Sequence, residues 1–158
     1  MKLFIDTNVV VDAYSRANRN RKESSLLLAL GEMGEFDLLT SPSQWTDVFY
    51  ILTSGGKPSK YDEGKAILQK ARKQVGVCMM GEQEVDKALD SKWDDFEDAL
   101  VYQAVLSSKA DVLITNNKKD FARSEIPTYT CAEFFEWMKN EQGTEYDIIE
   151  NFNPRHHK

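Results

Sequence analysis

The chain has only two histidines, His156 and His157, both within its last three residues. Neither is placed to serve as a general base elsewhere, and two adjacent histidines in a polar tail read as a frayed terminus before they read as a metal site. Cysteine is as scarce. Cys78 and Cys131 lie far apart, with no Cys-x-x-Cys or cysteine–histidine spacing, which speaks against zinc and for buried, reduced thiols of a cytoplasmic protein. Long apolar runs are missing: the longest, Leu26 to Leu30, is far too short for a bilayer, and Lys2 leads straight into Leu3-Phe4-Ile5 and Asp6 without a signal-peptide core. No membrane partner is expected. A basic excess is absent too, because 20 Lys and Arg against 26 Asp and Glu leave a formal charge of -6. That excludes indiscriminate wrapping of nucleic acid over the whole surface. It leaves room for a local site, since an acidic centre that gathers divalent cations can meet phosphate with help from a few flanking lysines and arginines.

What is present fits one globular domain: 158 residues, 41% hydrophobic and 29% charged, with no repeat or low-complexity block. Leu3-Phe4-Ile5 reads as a buried strand that delivers Asp6 at its C-terminal end, followed by a helix over Val9 to Tyr14. A second helix is expected from Arg21 to Leu30, bracketed by Gly31 and Gly34, and a strand over Phe36 to Thr40. Ser41-Pro42-Ser43 opens a helix through Trp45, Val48, Phe49 and Leu52 that Gly55-Gly56 stops, and Ser59 is expected to cap a helix from Lys60 toward Gln74. Val75 to Met79 is a third strand, Gly81 to Leu89 a short helix, and Asp94 to Ser108 a long helix with Phe96, Ala99, Leu100, Val101, Ala104 and Val105 on its apolar surface. Val112 to Thr115, a short strand at Thr128-Tyr129 and a helix from Ala132 to Lys139 follow. Residues 1–140 then form the domain, and 141–158 a polar C-terminal extension. This alternation predicts an α/β protein with a parallel sheet covered on both faces, whose ligand edge is the C-terminal one, where Asp6 and Thr115 fall.

Carboxylates dominate the candidate chemistry. Asp6 stands on a rigid strand end, although capping the next helix would also explain it. Asp47 lies among apolar neighbours in an amphipathic helix and needs solvent or a partner there, with Ser43 and Gln44 near enough in sequence to lend hydrogen bonds. Asp94, Asp95, Glu97 and Asp98 crowd a helix N-terminus, where acids are favoured by the dipole alone. Asp98, next to Ala99 and Leu100, sits nearest the buried boundary and is the better ligand candidate; Asp95, three residues before it, shares its side. Acids gathered from separate elements resist ionisation unless a cation joins them, and an all-oxygen set suits Mg2+ or Mn2+. Such an ion activates water for attack on a phosphodiester. Thr115 and Asn117 could hydrogen-bond near such a site, Asp120 could add a fourth acid, and Lys118 or Lys119 could meet phosphate.

The order Leu3-Phe4-Ile5-Asp6-Thr7-Asn8, Ser41-Pro42-Ser43 with Asp47, Asp95-Phe96-Glu97-Asp98-Ala99-Leu100, Leu113-Ile114-Thr115-Asn116-Asn117-Lys118-Lys119-Asp120-Phe121 and Ile126-Pro127 resembles the PIN domains, in particular the VapC toxin type, over nearly the whole chain. The resemblance implies a three-layer α/β/α sandwich and a magnesium- or manganese-dependent endoribonuclease of the cytoplasm, the toxin of a toxin–antitoxin pair, homodimeric and inhibited by a cognate antitoxin. It places the family's acids at Asp6, Asp47 and Asp98, with Asn117 as a further catalytic position, Asp95 and Asp120 as additional metal candidates, and Asn8, Ser43 and Thr115 in support. The chain departs from the family twice. Asp47 stands where glutamate is frequent, and Asn117 stands where a late acid is usual, a loss for which Asp120 is the compensating candidate.

Other readings fit less well. A haloacid-dehalogenase-type phosphatase needs an aspartate where Asn8 stands, and a receiver domain needs a phosphoacceptor after the third strand, where Met79-Met80 lie. The alternative of another class is a degenerate PIN domain that binds RNA or protein without cutting, which Asn117 favours and three retained acids oppose.

Overall fold

The computed structural model describes residues 1–147; the two histidines and the rest of the tail lie outside the described residues. Five short strands, β1 (Lys2–Ile5), β2 (Asp37–Thr40), β3 (Gly76–Val77), β4 (Val112–Ile114) and β5 (Thr128–Tyr129), form one parallel sheet in the order β3-β2-β1-β4-β5. The chain builds outward from β1 in one direction through β2 and β3, then returns to the other side for β4 and β5. The strand order therefore reverses between β1 and β4, and in sheets of this kind ligands bind at the C-terminal ends of the strands at that point.

Side chains alternate across the sheet, and both faces are dry. Leu3, Ile5, Val112 and Ile114 point into one core, while Phe4 and Leu113 point into the other, all at most 3% exposed. The first core is closed by α1 (Thr7–Tyr14), α2 (Arg21–Glu32), α3 (Pro42–Leu52), α4 (Tyr61–Gln74) and α7 (Cys131–Glu141). Across the sheet, α6 (Phe96–Ser107) packs Val101, Tyr102, Ala104 and Val105 on Phe4 and Leu113, and α5 (Glu82–Leu89) lies on α6. The result is the expected three-layer α/β/α sandwich.

Several local expectations change. Helix α2 runs two residues past Leu30 to Glu32 and ends between Gly31 and Gly34; a Cβ on Gly31 would stand 2.7 Å from the Gln74 carbonyl oxygen and collide with Leu38, so the close approach of α2 to β2 and the end of α4 requires a glycine. Ser59 caps nothing: it lies inside a 3₁₀ turn, Pro58–Lys60, that runs directly into α4. Strand β3 is shorter than Val75 to Met79, since only the Cys78 N–H, 2.8 Å from the Thr40 carbonyl, continues the ladder before Met79 swings out to 92% exposure. Phe96 opens α6 exposed instead of joining its buried face. Leu27, Leu28 and Leu30 are buried in the chain's own core, and Trp45 and Phe49 are partly buried. Beyond α7, Tyr146 returns to pack on Phe36 and Phe135 and donates to Glu35 at 2.7 Å.

Candidate active site

Asp6 follows β1 directly and caps α1, accepting the Thr7 N–H on Oδ1 at 2.7 Å. Register brings its other partner from 109 residues away: Ile5 pairs with Ile114, so Thr115 stands beside Asp6 and donates Oγ1–H to its Oδ2 at 2.8 Å. Asn8 Nδ2 donates to the same oxygen at 2.7 Å and to Thr115 Oγ1 at 3.2 Å. These donors are all neutral. Burial pushes the Asp6 carboxyl up to about 6 against the pull of its hydrogen bonds, and the nearby Asp120 adds to the rise. A carboxylate has about four acceptor positions, so three fixed donors leave Asp6 oriented and still able to take one more partner.

Asp98 enters the same field. Burial is again the main cause that raises it to about 6, followed by the charges of Asp120, Asp95, Asp6 and Glu97. Asp95 has a local task, since it is the N-cap of α6 and accepts the Asp98 N–H at 3.1 Å. The Asp98 carboxyl makes no hydrogen bond of its own among the described residues. Asp120 is presented by the 3₁₀ turn Lys118–Phe121 and is held there by Asn117, whose Nδ2 donates to Oδ2 at 2.7 Å while its backbone N–H bonds to Thr115 Oγ1 at 3.1 Å. Asn117, standing where an acid is usual, thus positions the acid three residues on.

Asp47 of α3 stands close enough to Glu97 of α6 for each to act on the other, and burial raises both, Glu97 with further push from the charges of Asp47, Asp95 and Asp6. Glu97 therefore links Asp47 to the Asp6 group, a role its position beside Asp98 does not announce, because neighbours i and i+1 point to different sides of a helix. Ser43 stays with its own helix start, 3.0 Å from Ser41 Oγ and accepting Thr46 Oγ1–H on its carbonyl, and no bond ties it to the acids. Gln44 is the residue of that segment that reaches the site: buried, it donates Nε2–H to the Ile5 carbonyl at 2.9 Å and accepts the Ser41 N–H at 2.7 Å.

A second polar centre was not foreseen. Asp12, 7% exposed, accepts from Asn18 at 2.7 Å, Asn20 at 3.1 Å and Asn116 at 2.8 Å. Asn116 also donates its side chain to Ser24 and its backbone N–H to Asn8 Oδ1, and accepts the Cys131 N–H, so it joins α1, α2 and α7 behind Asp6.

Among the described residues no lysine or arginine pairs with Asp6, Asp47, Glu97, Asp98 or Asp120; the ion pairs lie at Lys118–Glu133, Arg123–Asp94 and Lys139–Glu145. Nor do any three His, Cys, Asp or Glu side chains there close into an array around a single point. Like charges with no cation between them stand apart. The donor chemistry, carboxylate oxygens with neither thiol nor imidazole, fits a hard divalent ion such as Mg2+ or Mn2+.

Comparison with known proteins identifies the family and the fold. The PIN domain model matches residues 2–119. The chain is 34% identical over 143 residues to Ribonuclease VapC1 of Aquifex aeolicus, an alignment covering 85% of this chain and 94% of that protein. Among solved structures it resembles VapBC2 from Rickettsia felis bound to a DNA fragment from its promoter, with TM-score 0.61, 16% identity, and coverage of 81% of this chain and 97% of that one. It also resembles Mycobacterium tuberculosis VapC20, a sarcin-ricin loop cleaving toxin, with TM-score 0.61, 12% identity, and coverage of 77% and 95%.

Proposed function

Because the chain belongs to the PIN domain family, we propose that it is a divalent-metal-dependent endoribonuclease, the toxin of a toxin–antitoxin pair, acting through Asp6, Asp98 and Asp120 with Asp47 behind Glu97. The observation that carries the reading is the group of carboxylates without cationic partners at the C-terminal ends of β1 and β4, where burial raises Asp6 and Asp98 to about 6 and the charge of Asp120 adds to both. The name of the 34% identical relative supports ribonuclease chemistry, and the toxin–antitoxin complexes among the structural neighbours support a cognate antitoxin.

Asp6, Asp98 and Asp120 would hold Mg2+ or Mn2+. When bound, such an ion makes water a better nucleophile and offsets charge on the phosphate oxygens. The chain's own residues prepare that step. Thr115, Asn8 and the Thr7 N–H fix the plane of the Asp6 carboxylate, and Asn117 fixes Asp120, so that neither must be ordered when substrate arrives. Asp47 and Glu97, both raised chiefly by burial, extend the acidic group toward α3.

A panel of structured and single-stranded RNAs, incubated with the purified chain and with Asp6→Asn, tests the reading. Cleavage should require Mg2+ or Mn2+, stop with EDTA and be lost in the variant. Asn117 in the late acid's place favours a second reading, a PIN domain that binds RNA or protein without cutting; RNA binding with no cleavage under any metal would establish it. We place the protein in the cytoplasm with its RNA, as a homodimer, and light scattering that finds only monomer over a wide concentration range would remove the dimer.

A further inference from the structure

Against the overall charge of -6, the stretch from Ala13 to Lys22 carries Arg16, Arg19, Arg21 and Lys22 and not one acid. The three arginines are exposed, and among the described residues none has an ion pair. This stretch joins α1 to α2 and contributes no buried apolar side chain between Tyr14 and Ser24. Such a surface loop is ordinarily mobile. Here it is fastened. Asn18 and Asn20 donate to the two oxygens of buried Asp12, the Asn20 N–H bonds to Asn18 Oδ1 at 2.8 Å, and the Arg21 N–H bonds to the Asn18 carbonyl at 3.2 Å.

Burying a carboxylate costs several kcal/mol unless its partners compensate; here three amides do so, two of them from the loop itself. The clamp makes sense if the loop must stand at a set distance from something. That something is Asp6: Asp12 accepts from Asn116, the Asn116 N–H bonds to Asn8, and Asn8 donates to Asp6. A continuous hydrogen-bonded line through Asp12, Asn116 and Asn8 thus ties the arginine loop to the acid centre. An acidic centre repels a polyanion, and guanidinium forks set beside it match phosphate oxygens two at a time.

We infer that the α1–α2 loop is a phosphate-binding exosite, in which Arg16, Arg19 and Arg21 grip the backbone of the RNA strand and hold it in register with Asp6. The inference rests on the ribonuclease reading and adds to it the surface on which the strand lies.

The test uses the full chain carrying Asp98→Asn, so that RNA stays intact, with and without Arg16→Gln, Arg19→Gln and Arg21→Gln together, and a short labelled single-stranded RNA read by anisotropy across a salt series. Losing three phosphate contacts at roughly 0.7 each should make the slope of log affinity against log salt shallower by about 2, and should weaken binding at low salt by at least about tenfold. A charge-matched control, Lys57→Gln, Lys65→Gln and Lys73→Gln, should keep the original slope. In the active chain the arginine changes should raise KM with kcat nearly constant. Equal losses in the two triple variants, or none in the arginine variant while cleavage persists, would overturn the exosite alone. A chain that neither binds nor cleaves RNA would overturn the ribonuclease reading as well. Binding of a deca-glutamate peptide that depends on the arginines and outcompetes the RNA would assign the loop to an acidic protein segment and likewise overturn the inference.

Discussion

Asp6 and Asp12 lie six residues apart, at either end of α1, are 8% and 7% exposed, and accept three hydrogen bonds each from neutral donors. By burial and bond count they are twins. Their company separates them: Asp12 is enclosed by three asparagine amides that belong to it, whereas Asp6 looks out on Asp120, Asp98 and Glu97. A buried aspartate whose neighbours are all donors is a strut. One whose neighbours are other acids waits for a cation. The comparison says that the function of a carboxylate in this fold is read from the charge around it and not from how deeply it is buried.

The largest effect should come from the strut. Asp12→Ala deprives three amide donors of their acceptor at once and should cost about 3 to 5 kcal/mol of stability, measured by urea unfolding. Cleavage by the fraction that remains folded should keep its kcat. A variant that folds normally but has lost its turnover would place Asp12 beside Asp6 and break the comparison.

Next in size is Asp98→Asn. Changes to residues that merely support a metal ligand cost 10- to 100-fold, so loss of a ligand should slow metal-dependent cleavage by at least about 100-fold, or about 2.7 kcal/mol of barrier. Since Asp98 makes no compensating hydrogen bond and its carboxyl is pushed up by burial and then by four other acids, the metal-free variant should unfold at the same or a higher temperature. Near-normal cleavage with unchanged magnesium dependence would pass the role to another acid of the group.

The third effect follows from protons. Asp6 and Asp98 are raised from 3.8 to about 6, so between those values the folded, metal-free chain binds more protons than the unfolded one. Stability then falls as pH rises through that window and is flat, as far as these groups go, above it. The rise of Asp6 sets a ceiling of about 3 kcal/mol, of which about 2 falls above pH 4.5. Urea midpoints at pH 4.5 and 7.5 measure it, and saturating Mg2+ should flatten the trend. A chain that grows less stable on acidification in this window, without metal, would refute the crowding of acids on which the site rests.

Much of Asp6's setting was legible before any coordinates, because it is made of local signals. Three apolar residues ending in an aspartate specify a strand that stops at a cap, and the run from Thr115 to Asp120 contains both the partner of Asp6 and the acid near it. What escaped was built from long separations. Asn116 reaches Asp12 over 104 residues and Asn8 over 108, and nothing in the spacing of asparagines tells a loop from a clamp. Glu97 was one more acid on a crowded helix start until α3 brought Asp47 to it. Ser59 failed as a cap for the same reason in reverse: the motif was sound, but the preceding Pro58 began a 3₁₀ turn that consumed it. Local chemistry was readable, and the meeting of distant segments was not.

The smallest effect divides the acids of α6 among themselves. Asp95 and Asp98 are three residues apart, and a helix N-terminus welcomes both, so dipole and charge alone cannot rank them. The hydrogen bond does. Asp95 accepts the Asp98 N–H, which makes its side chain the fastener of the first turn, and the turn in turn holds the Asp98 carboxyl where Asp6 and Asp120 feel it. Asp95→Ala should therefore cost about 1 kcal/mol of stability, the usual worth of such a cap, and Asp95→Ser, which can cap without charge, should recover most of it. Removing the Asp95 charge also relieves part of the push on Asp98, so the carboxyl of Asp98 should titrate lower, a shift that carbon-detected NMR of the metal-free protein can follow. Cleavage at saturating metal should survive in both variants. If Asp95→Ser restores the fold but leaves cleavage as weak as Asp98→Asn does, then Asp95 is a ligand as well as a cap, and the line drawn between strut and site runs through α6 one residue earlier than its first turn.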